Sequence, residues 1–154
     1  MYLGNKDYLF LEDPLLIKGD EFIDERGSLS FVNDFTFDYV KRFYIIKHTS
    51  SNIIRAWQAH KSEMKFFYVL HGEFIVNLVK IDNWEIPSKE SEVIGYKLSK
   101  RDNSMLVIPK GYANGFSNLE SNAKLLVFSS SSLEESLKDD YRFDKNYFKN
   151  SKWL

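Results

Sequence analysis

Short runs rich in apolar residues, several of them alternating with polar side chains, recur along this 154-residue chain. Because successive side chains of a strand point to opposite faces, this period of two is typical of half-buried β-strands. The runs cover residues 28–33, 42–47, 53–60, 93–98, 105–109 and 124–129, and a longer apolar block covers 65–79. Turn residues separate these runs at intervals of about ten residues, as in sandwiches and barrels. The pattern predicts an all-β fold.

Turn and capping residues divide the rest of the chain. His71-Gly72 interrupts the long apolar block, which predicts a hairpin between two strands. The polar segment 83–92 is expected to be an exposed loop. Ser132 and Glu135 fit a capping box and predict a short C-terminal helical segment. The aromatic and charged segment 141–153 is expected to pack on the barrel or on a second subunit. No linker interrupts the chain, so we expect one domain over residues 1–154.

The side chains of the central strand are expected to form a cavity. Alternation places Gln58 and His60 on one face of the strand over 53–60 and Arg55 on the other. A short turn after residue 60 would fold the next strand back antiparallel, which brings Lys65 near the end of the first strand. The pattern therefore predicts that Gln58, His60 and Lys65 line one cavity.

Composition excludes several classes of protein. The chain has no cysteine, which excludes disulfides, thiolate metal sites and a cysteine nucleophile. Its net charge is −1, so we expect no nucleic-acid partner. The N-terminus lacks the basic and apolar regions of a secretory signal, and no apolar run approaches the roughly 20 residues that span a bilayer. We therefore expect a cytoplasmic protein with no membrane partner.

Two segments of the sequence resemble the motifs of cupins. Pro109, Gly111 and Asn118 match the second cupin motif, but Asn114 stands where that motif has a metal-binding histidine. In the first motif Gln58 replaces the first of two histidines. The resemblance implies a cupin-like (jelly-roll) antiparallel β-barrel. Since carboxamides are weak ligands for divalent transition metals, we expect no bound metal and no cofactor.

The chain also resembles metal-free cupins that act on nucleotide sugars. Segments around Arg26, Arg55 and Lys65 look like the arginine and lysine motifs of these enzymes. Residues 108–116 are similar to the dTDP-4-dehydrorhamnose 3,5-epimerases. Residues 41–46, 55–61 and 125–128 are similar to the dTDP-sugar 3,4-ketoisomerases.

The resemblance implies a role for each matching residue. Arg26 would contact the diphosphate of a nucleotide, and Arg55 would contact the diphosphate or the sugar. Lys65 would stabilise the enolate that forms when a proton leaves the carbon beside a ketone. Gln58 cannot accept that proton near pH 7, so His60 is the expected base. The alternative interpretations are a satisfied barrel histidine for His60 and a surface lysine for Lys65.

Further polar residues complete the expected site. Tyr44 and Tyr112 are possible substitutes for the acid tyrosine of the epimerases, and Asn114 is expected to contact substrate with Gln58. The two other histidines, His48 and His71, are interpreted as surface residues.

These residues lead to two functional hypotheses. The first is a nucleotide-sugar epimerase or isomerase of surface-polysaccharide or O-antigen synthesis that acts on a 4-keto-6-deoxyhexose nucleotide. The resemblance implies that this nucleotide sugar is dTDP-linked. The second is a catalytically inactive relative that binds a nucleotide sugar or a partner enzyme. A metal-dependent cupin is a third and weaker alternative. The resemblance also implies a homodimer with strands exchanged between subunits, for which the segment 8–11 is suited.

Overall fold

The computed structural model describes residues 7–153, and within them twelve strands account for most of the regular structure. The strands are β1 (Leu15–Lys18), β2 (Asp20–Asp24), β3 (Gly27–Phe31), β4 (Arg42–His48), β5 (Ile54–Ala59), β6 (Lys65–His71), β7 (Glu73–Lys80), β8 (Ile94–Ser99), β9 (Ser104–Ile108), β10 (Tyr112–Asn118), β11 (Ala123–Ser129) and β12 (Tyr141–Arg142). The all-β prediction is confirmed.

Two five-stranded antiparallel sheets enclose one apolar core. The first sheet has the order β1-β9-β6-β11-β4 and the second has the order β12-β5-β10-β7-β8, while β2 and β3 form a separate hairpin. Both sheets contribute buried side chains to the core between them, among them Phe67, Leu106, Leu125, Phe74, Val76 and Phe116. This arrangement is the expected cupin-like jelly-roll barrel.

The connections around β6 differ from those that the sequence predicts. β6 lies in the first sheet, whereas β5 and β7 both lie in the second. The turn after β5 and the turn at Gly72, which has a φ of +78°, therefore carry the chain from one sheet to the other. The predicted hairpin at His71-Gly72 and the predicted pairing of β5 with β6 are wrong. A glycine turn is compatible with either kind of connection, so the turn residues do not distinguish them.

The C-terminal segment packs on the outer face of the second sheet. β12 pairs with β5, and the ring of Trp57 contacts the rings of Phe148 and Trp153 at centroid distances of 5.0 and 5.2 Å. β10 is consequently buried along its whole length, because the core covers one face and this segment covers the other. Of the two arrangements expected for this segment, the structure has the one in which it packs on its own barrel.

The short helix α1 (Leu133–Leu137) begins with the predicted capping box, in which Ser132 and Glu135 exchange hydrogen bonds. In residues 7–153, no helix is long and apolar enough to cross a membrane. Near the other end of the described chain, Tyr8–Phe10 forms a 3₁₀ helix, and Tyr8 is buried against Phe35 and Phe66. Only Tyr8 of the segment 8–11 is buried, whereas Phe10 is 77% exposed, and the exchange of this segment between subunits stays a prediction.

Candidate active site

A cavity of about 590 Å³ opens between the two sheets and carries an excess of positive charge. Four cationic side chains line it, together with a single carboxylate, Asp140; the cations are Arg42, Arg55, Lys65 and Arg142. Aromatic and apolar side chains form the remaining wall, including Tyr44, Trp57, Phe67, Phe116 and Phe143. A cavity of this size and charge suits an anionic small molecule.

A bulge in β5 places Arg55 and Gln58 on the same face of the sheet. Asn114 of β10 lies opposite Gln58, and Phe116 lies opposite Arg55, so three steps along β5 match two steps along β10. The extra residue in β5 reverses the alternation between the two pairs. The prediction that Arg55 and Gln58 point in opposite directions is therefore wrong, and both side chains line the cavity.

Gln58 connects Lys65 to Asp140 across the cavity. Nζ of Lys65 donates a hydrogen bond of 2.6 Å to Oε1 of Gln58, and Nε2 of Gln58 donates one of 2.9 Å to Oδ1 of Asp140. Asp140 also accepts from Nε of Arg142 at 3.1 Å. Since Lys65 belongs to the first sheet and Gln58 to the second, this chain of bonds spans the barrel.

Two of the cavity's arginines were not among the residues that the sequence singles out. Arg42 begins β4, donates from Nε to the carbonyl oxygen of Ser131 at 3.2 Å, and lies 5.1 Å from the centroid of the Tyr44 ring. Arg142 lies in β12, which pairs with β5 and so brings the side chain to the cavity. Nothing in the local sequence around Arg142 indicates this long-range contact.

Burial changes the proton affinity of several groups in the cavity. It lowers the pKa of Lys65 to about 8, a shift that Arg42 and Arg142 reinforce and that Glu63 opposes. Burial also raises the pKa of Tyr44 to about 12. The pKa of Asp140 is lowered, because hydrogen bonds from Gln58 and Arg142 outweigh the effect of its burial.

His60 does not line the cavity. It is 2% exposed and lies in a buried polar cluster with Glu63, whose Oε2 is 3.0 Å from Nδ1 of His60. That nitrogen also contacts the carbonyl oxygen of Asp139, so both of its neighbours are acceptors and it carries the proton. The buried Nε2 atom has no hydrogen-bond partner among residues 7–153. The expectation that His60 shares the cavity with Gln58 and Lys65 is wrong, because the corner after β5 buries its ring behind the wall.

Glu63 is the centre of this cluster. Its carboxylate accepts hydrogen bonds from the hydroxyl groups of Ser129 and Ser136 and lies 3.6 Å from a guanidinium nitrogen of Arg42. Burial by itself raises the pKa of Glu63, but hydrogen bonds from His60 and Ser129 dominate and lower it to about 2. The cluster therefore holds Arg42 from behind the cavity.

The other predicted residues have different positions. Asn114 lines the cavity and donates from Nδ2 to the main-chain oxygen of Gln58 at 3.1 Å. Tyr112 lies in the apolar core, and its hydroxyl donates to the main-chain oxygen of Glu12 at 2.8 Å. Arg26 lies at the turn of the β2–β3 hairpin, where its side chain is 81% exposed and pairs with Asp24. Within one chain, neither Tyr112 nor Arg26 lines the cavity.

His48 is buried and not at the surface, so that prediction is wrong. Its Nδ1 atom is 2.9 Å from Oδ1 of Asn118, and its Nε2 atom accepts from Nε of Arg55 at 2.9 Å. This pair of bonds fixes the neutral ring with its proton on Nδ1. His48 thus holds one of the cavity's arginines in place. The remaining histidine, His71, is exposed as predicted.

A second cavity, of about 690 Å³, lies on the outer side of β7 and β8, where the C-terminal segment passes. It is lined by Lys97, Lys149 and Lys152, and two of these lysines already pair with surface carboxylates. It is larger than the cavity between the sheets, but its three lysines are exposed, whereas Lys65 of the cavity between the sheets is buried. Within residues 7–153, no group of three or more histidine, aspartate or glutamate side chains is arranged to hold a metal ion.

Solved structures with the same fold act on or bind nucleotide sugars. The dTDP-4-dehydrorhamnose 3,5-epimerase of Bacillus anthracis, solved with TDP and PPi bound, is 19% identical over 87% of this chain and 80% of its own, with a TM-score of 0.72. A mutant of the 3,4-ketoisomerase QdtA of Thermoanaerobacterium thermosaccharolyticum, in complex with TDP-4-keto-6-deoxyglucose, is 25% identical over 90% of this chain and 93% of its own, with a TM-score of 0.68.

A third similar structure is the TDP-quinovose 3,4-ketoisomerase WlaRB of Campylobacter jejuni, which is 23% identical over 91% of this chain and all of its own, with a TM-score of 0.68. No curated protein sequence matches the chain. The family model FdtA, described as WxcM-like, C-terminal, matches residues 12–153. The chain therefore belongs to the WxcM-like, C-terminal family.

Proposed function

We propose that this protein is a nucleotide-sugar isomerase whose cavity between the two sheets binds a TDP-linked sugar. The observation that carries the proposal is the convergence of three arginines and one lysine on a cavity with a single carboxylate. Guanidinium groups bind diphosphate oxygens through two parallel hydrogen bonds, and a cavity of about 590 Å³ accommodates a nucleotide-sized ligand. The TDP and TDP-sugar complexes of the similar epimerase and ketoisomerase support the same ligand class.

The cavity divides into a phosphate part and a sugar part in this proposal. Arg42, Arg55 and Arg142 bind the diphosphate, since they are the cations that stay charged at every physiological pH. The sugar lies against Lys65 and Gln58, which are joined at the wall of the cavity, with Tyr44 and Asn114 beside them.

The reaction that we propose is proton transfer beside the ketone of a 4-keto-6-deoxyhexose. The positive potential that the three guanidinium groups create in the cavity stabilises the negative charge that develops on the ketone oxygen when the proton leaves the neighbouring carbon. No metal or redox cofactor is needed, because the substrate and the product are isomers. We place this activity in cytoplasmic synthesis of surface polysaccharide such as O-antigen.

We further propose that the protein is a homodimer in which the β2–β3 hairpin packs on the partner subunit. Phe22, Ile23 and Leu29 of this hairpin are at least 60% exposed, and such a cluster of apolar side chains is typical of an interface. In the dimer, Arg26 at the hairpin turn would lie near a second subunit. Analytical ultracentrifugation tests this: we expect a dimer that Phe22→Asp dissociates, and a monomeric wild-type protein would contradict the proposal.

Hydrogen exchange into a bound sugar tests the proposed reaction. We expect NMR to detect deuterium at carbon 3 or carbon 5 of dTDP-4-keto-6-deoxyglucose when it is incubated in heavy water with the protein at high concentration. Calorimetry with TDP provides the matching measurement of binding. Absence of both binding and exchange would contradict the proposed function.

One observation favours a second candidate, a non-catalytic relative that binds the nucleotide sugar. The cavity has no imidazole in its lining, since His60 is buried behind the wall and Gln58 occupies the position at which the resemblance implies a histidine. If the protein binds TDP but catalyses no deuterium exchange into any of several TDP-sugars, this candidate is supported and the isomerase is contradicted.

A further inference from the structure

The lining of the cavity contains few groups that can carry a proton near neutral pH. Its titratable side chains are Arg42, Arg55, Arg142, Tyr44, Asp140 and Lys65. Arginine remains protonated in proteins, and burial raises the pKa of Tyr44 to about 12. The carboxylate of Asp140 is held in its ionised form by Gln58 and Arg142, which lower its pKa. Only Lys65 remains as a group that both loses and gains a proton in the physiological range.

The surroundings of Lys65 favour a neutral amine. The residue begins β6 and is only 4% exposed, and burial of a cation without full compensation is unfavourable. The charged groups that act on it are Arg42 and Arg142, which disfavour a third positive charge, and Glu63 and Asp140, which favour it. With a pKa of about 8, about a tenth of the Lys65 side chains are neutral at pH 7 and about half at pH 8.

We propose that the neutral amine of Lys65 is the base that removes the proton beside the ketone, and that Gln58 is the positioning residue that directs this amine into the cavity. The proposal rests on the proposed function and assigns the chemistry of that same cavity. Gln58 is suited to the role because its oxygen accepts from Nζ of Lys65 at 2.6 Å while its amide nitrogen is held by Asp140 at 2.9 Å. A fixed acceptor leaves the lone pair of the amine free for the substrate.

The reaction balances without a co-reactant. The lone pair of Nζ takes the proton of carbon 3, the electrons of that C–H bond form a double bond to carbon 4, and the electrons of the C=O bond move to oxygen 4. The hydroxyl proton of oxygen 3 passes to oxygen 4, the ammonium group of Lys65 returns its proton to carbon 4, and carbon 3 becomes the ketone. A single base acts on one face of the sugar, so the product is a 3-keto isomer and the configuration of carbon 5 is unchanged.

His60 is the competing base. Its Nε2 atom is buried without a partner among the described residues, although the ring lies behind the cavity wall. Its Nδ1 atom is held by Glu63 and Asp139. The two assignments differ in which substitution removes the base, so variants of Lys65 and His60 separate them.

The experiment measures kcat/KM for deuterium exchange at carbon 3 of TDP-4-keto-6-deoxyglucose from pH 6 to pH 10. We expect the rate to rise with pH and to level off above a pKa near 8. Lys65→Met and Lys65→Arg should each lower the rate roughly 10²–10⁴-fold, the usual contribution of a general base. Added methylamine should restore part of the activity of Lys65→Ala in proportion to its neutral fraction. The exposed Lys124 provides the control, and Lys124→Met should keep the wild-type profile.

The outcomes distinguish the base from the other possibilities. A rate that falls as the pH rises through 8, with activity retained in Lys65→Arg, would overturn the proposal and make Lys65 a cation that stabilises the enolate. If the rise of the exchange rate with pH is lost in His60→Gln but retained in Lys65→Ala, the base is His60. A wild-type protein that binds TDP but exchanges no proton overturns the proposed reaction, and the assignment of Lys65 with it.

Discussion

Nζ of Lys65 and Oε1 of Gln58 are 2.6 Å apart, although the two residues belong to opposite sheets of the barrel. The amide of Gln58 is oriented by Asp140, which accepts from its nitrogen and thereby turns its oxygen to the lysine. A carboxamide cannot exchange a proton near neutral pH, but it holds the one side chain of the cavity that can. In our proposal the residue that replaces a histidine thus supports a different base.

Replacement of Gln58 by glutamate should raise the pKa of the Lys65 ammonium group. A carboxylate at hydrogen-bond distance from an ammonium group favours the charged form, and such pairs shift a pKa by about 1–3 units. We therefore expect the rising limb of the exchange rate in Gln58→Glu to move to higher pH by at least one unit. Gln58→Met, which adds no charge, is the matched control. A pH dependence in Gln58→Glu identical to that of the wild type would contradict the proposed contact between Gln58 and the base.

Removal of a cavity arginine should weaken the binding of TDP. A hydrogen bond to a charged group contributes about 1.5–3 kcal/mol, so Arg42→Ala and Arg142→Ala should each raise the Kd by about tenfold or more. Calorimetry at fixed ionic strength measures the change. Arg101, an exposed arginine that does not line the cavity, is the control, and Arg101→Ala should bind as the wild type does. Equal weakening in all three variants would indicate a general electrostatic effect instead of a site.

The buried ring of His48 should make the protein less stable as the pH falls. Burial lowers the pKa of His48, so the unfolded state binds a proton that the folded state resists. Its contribution to stability is complete above the unfolded pKa of about 6.5 and is lost below it, with a slope of at most about 1.4 kcal/mol per pH unit. Urea unfolding between pH 5 and 7.5 should show this slope, and His48→Gln should reduce it. His71→Gln, at an exposed site, should leave the slope unchanged.

Glu63 should contribute a stability that disappears in acid. Its pKa is about 2 in the folded protein, against an ordinary value of 4.5, so the contribution is present above pH 4.5 and is lost as the pH falls towards 2. The difference corresponds to about 3 kcal/mol. Glu63→Gln should lower the free energy of unfolding at pH 6 by a similar amount and flatten its dependence on pH below 4.5. Glu134→Gln removes an exposed carboxylate, and a comparable loss there would contradict the assignment.

The sequence predicts the strands better than it predicts their partners. Alternation is a local property, and it identifies most of the strands and the capped helix α1. β10 shows no alternation because both of its faces are covered, which explains why periodicity does not identify it. A turn at Gly72 is equally compatible with a hairpin and with a corner between two sheets, and the difference depends on pairings such as β6 with β9 and β11, which lie far along the chain.

The site is predictable to a similar extent. Gln58, Lys65, Asn114, Tyr44 and Arg55 line the cavity as expected, although Arg55 does so through a bulge that breaks the alternation. The contributions of Arg42, Arg142 and Asp140 depend on how β4 and the C-terminal segment pack, which no local pattern encodes. The burial of His60 likewise follows from the corner after β5.

The location of bound nucleotide tests the central claim most directly, and a crystal structure of the protein with TDP determines it. We predict that the diphosphate lies between the sheets, within hydrogen-bond distance of the guanidinium groups of Arg42, Arg55 and Arg142, with the end that carries the sugar directed towards Lys65. A diphosphate bound instead at the outer cavity, against Lys97, Lys149 and Lys152, would contradict the account.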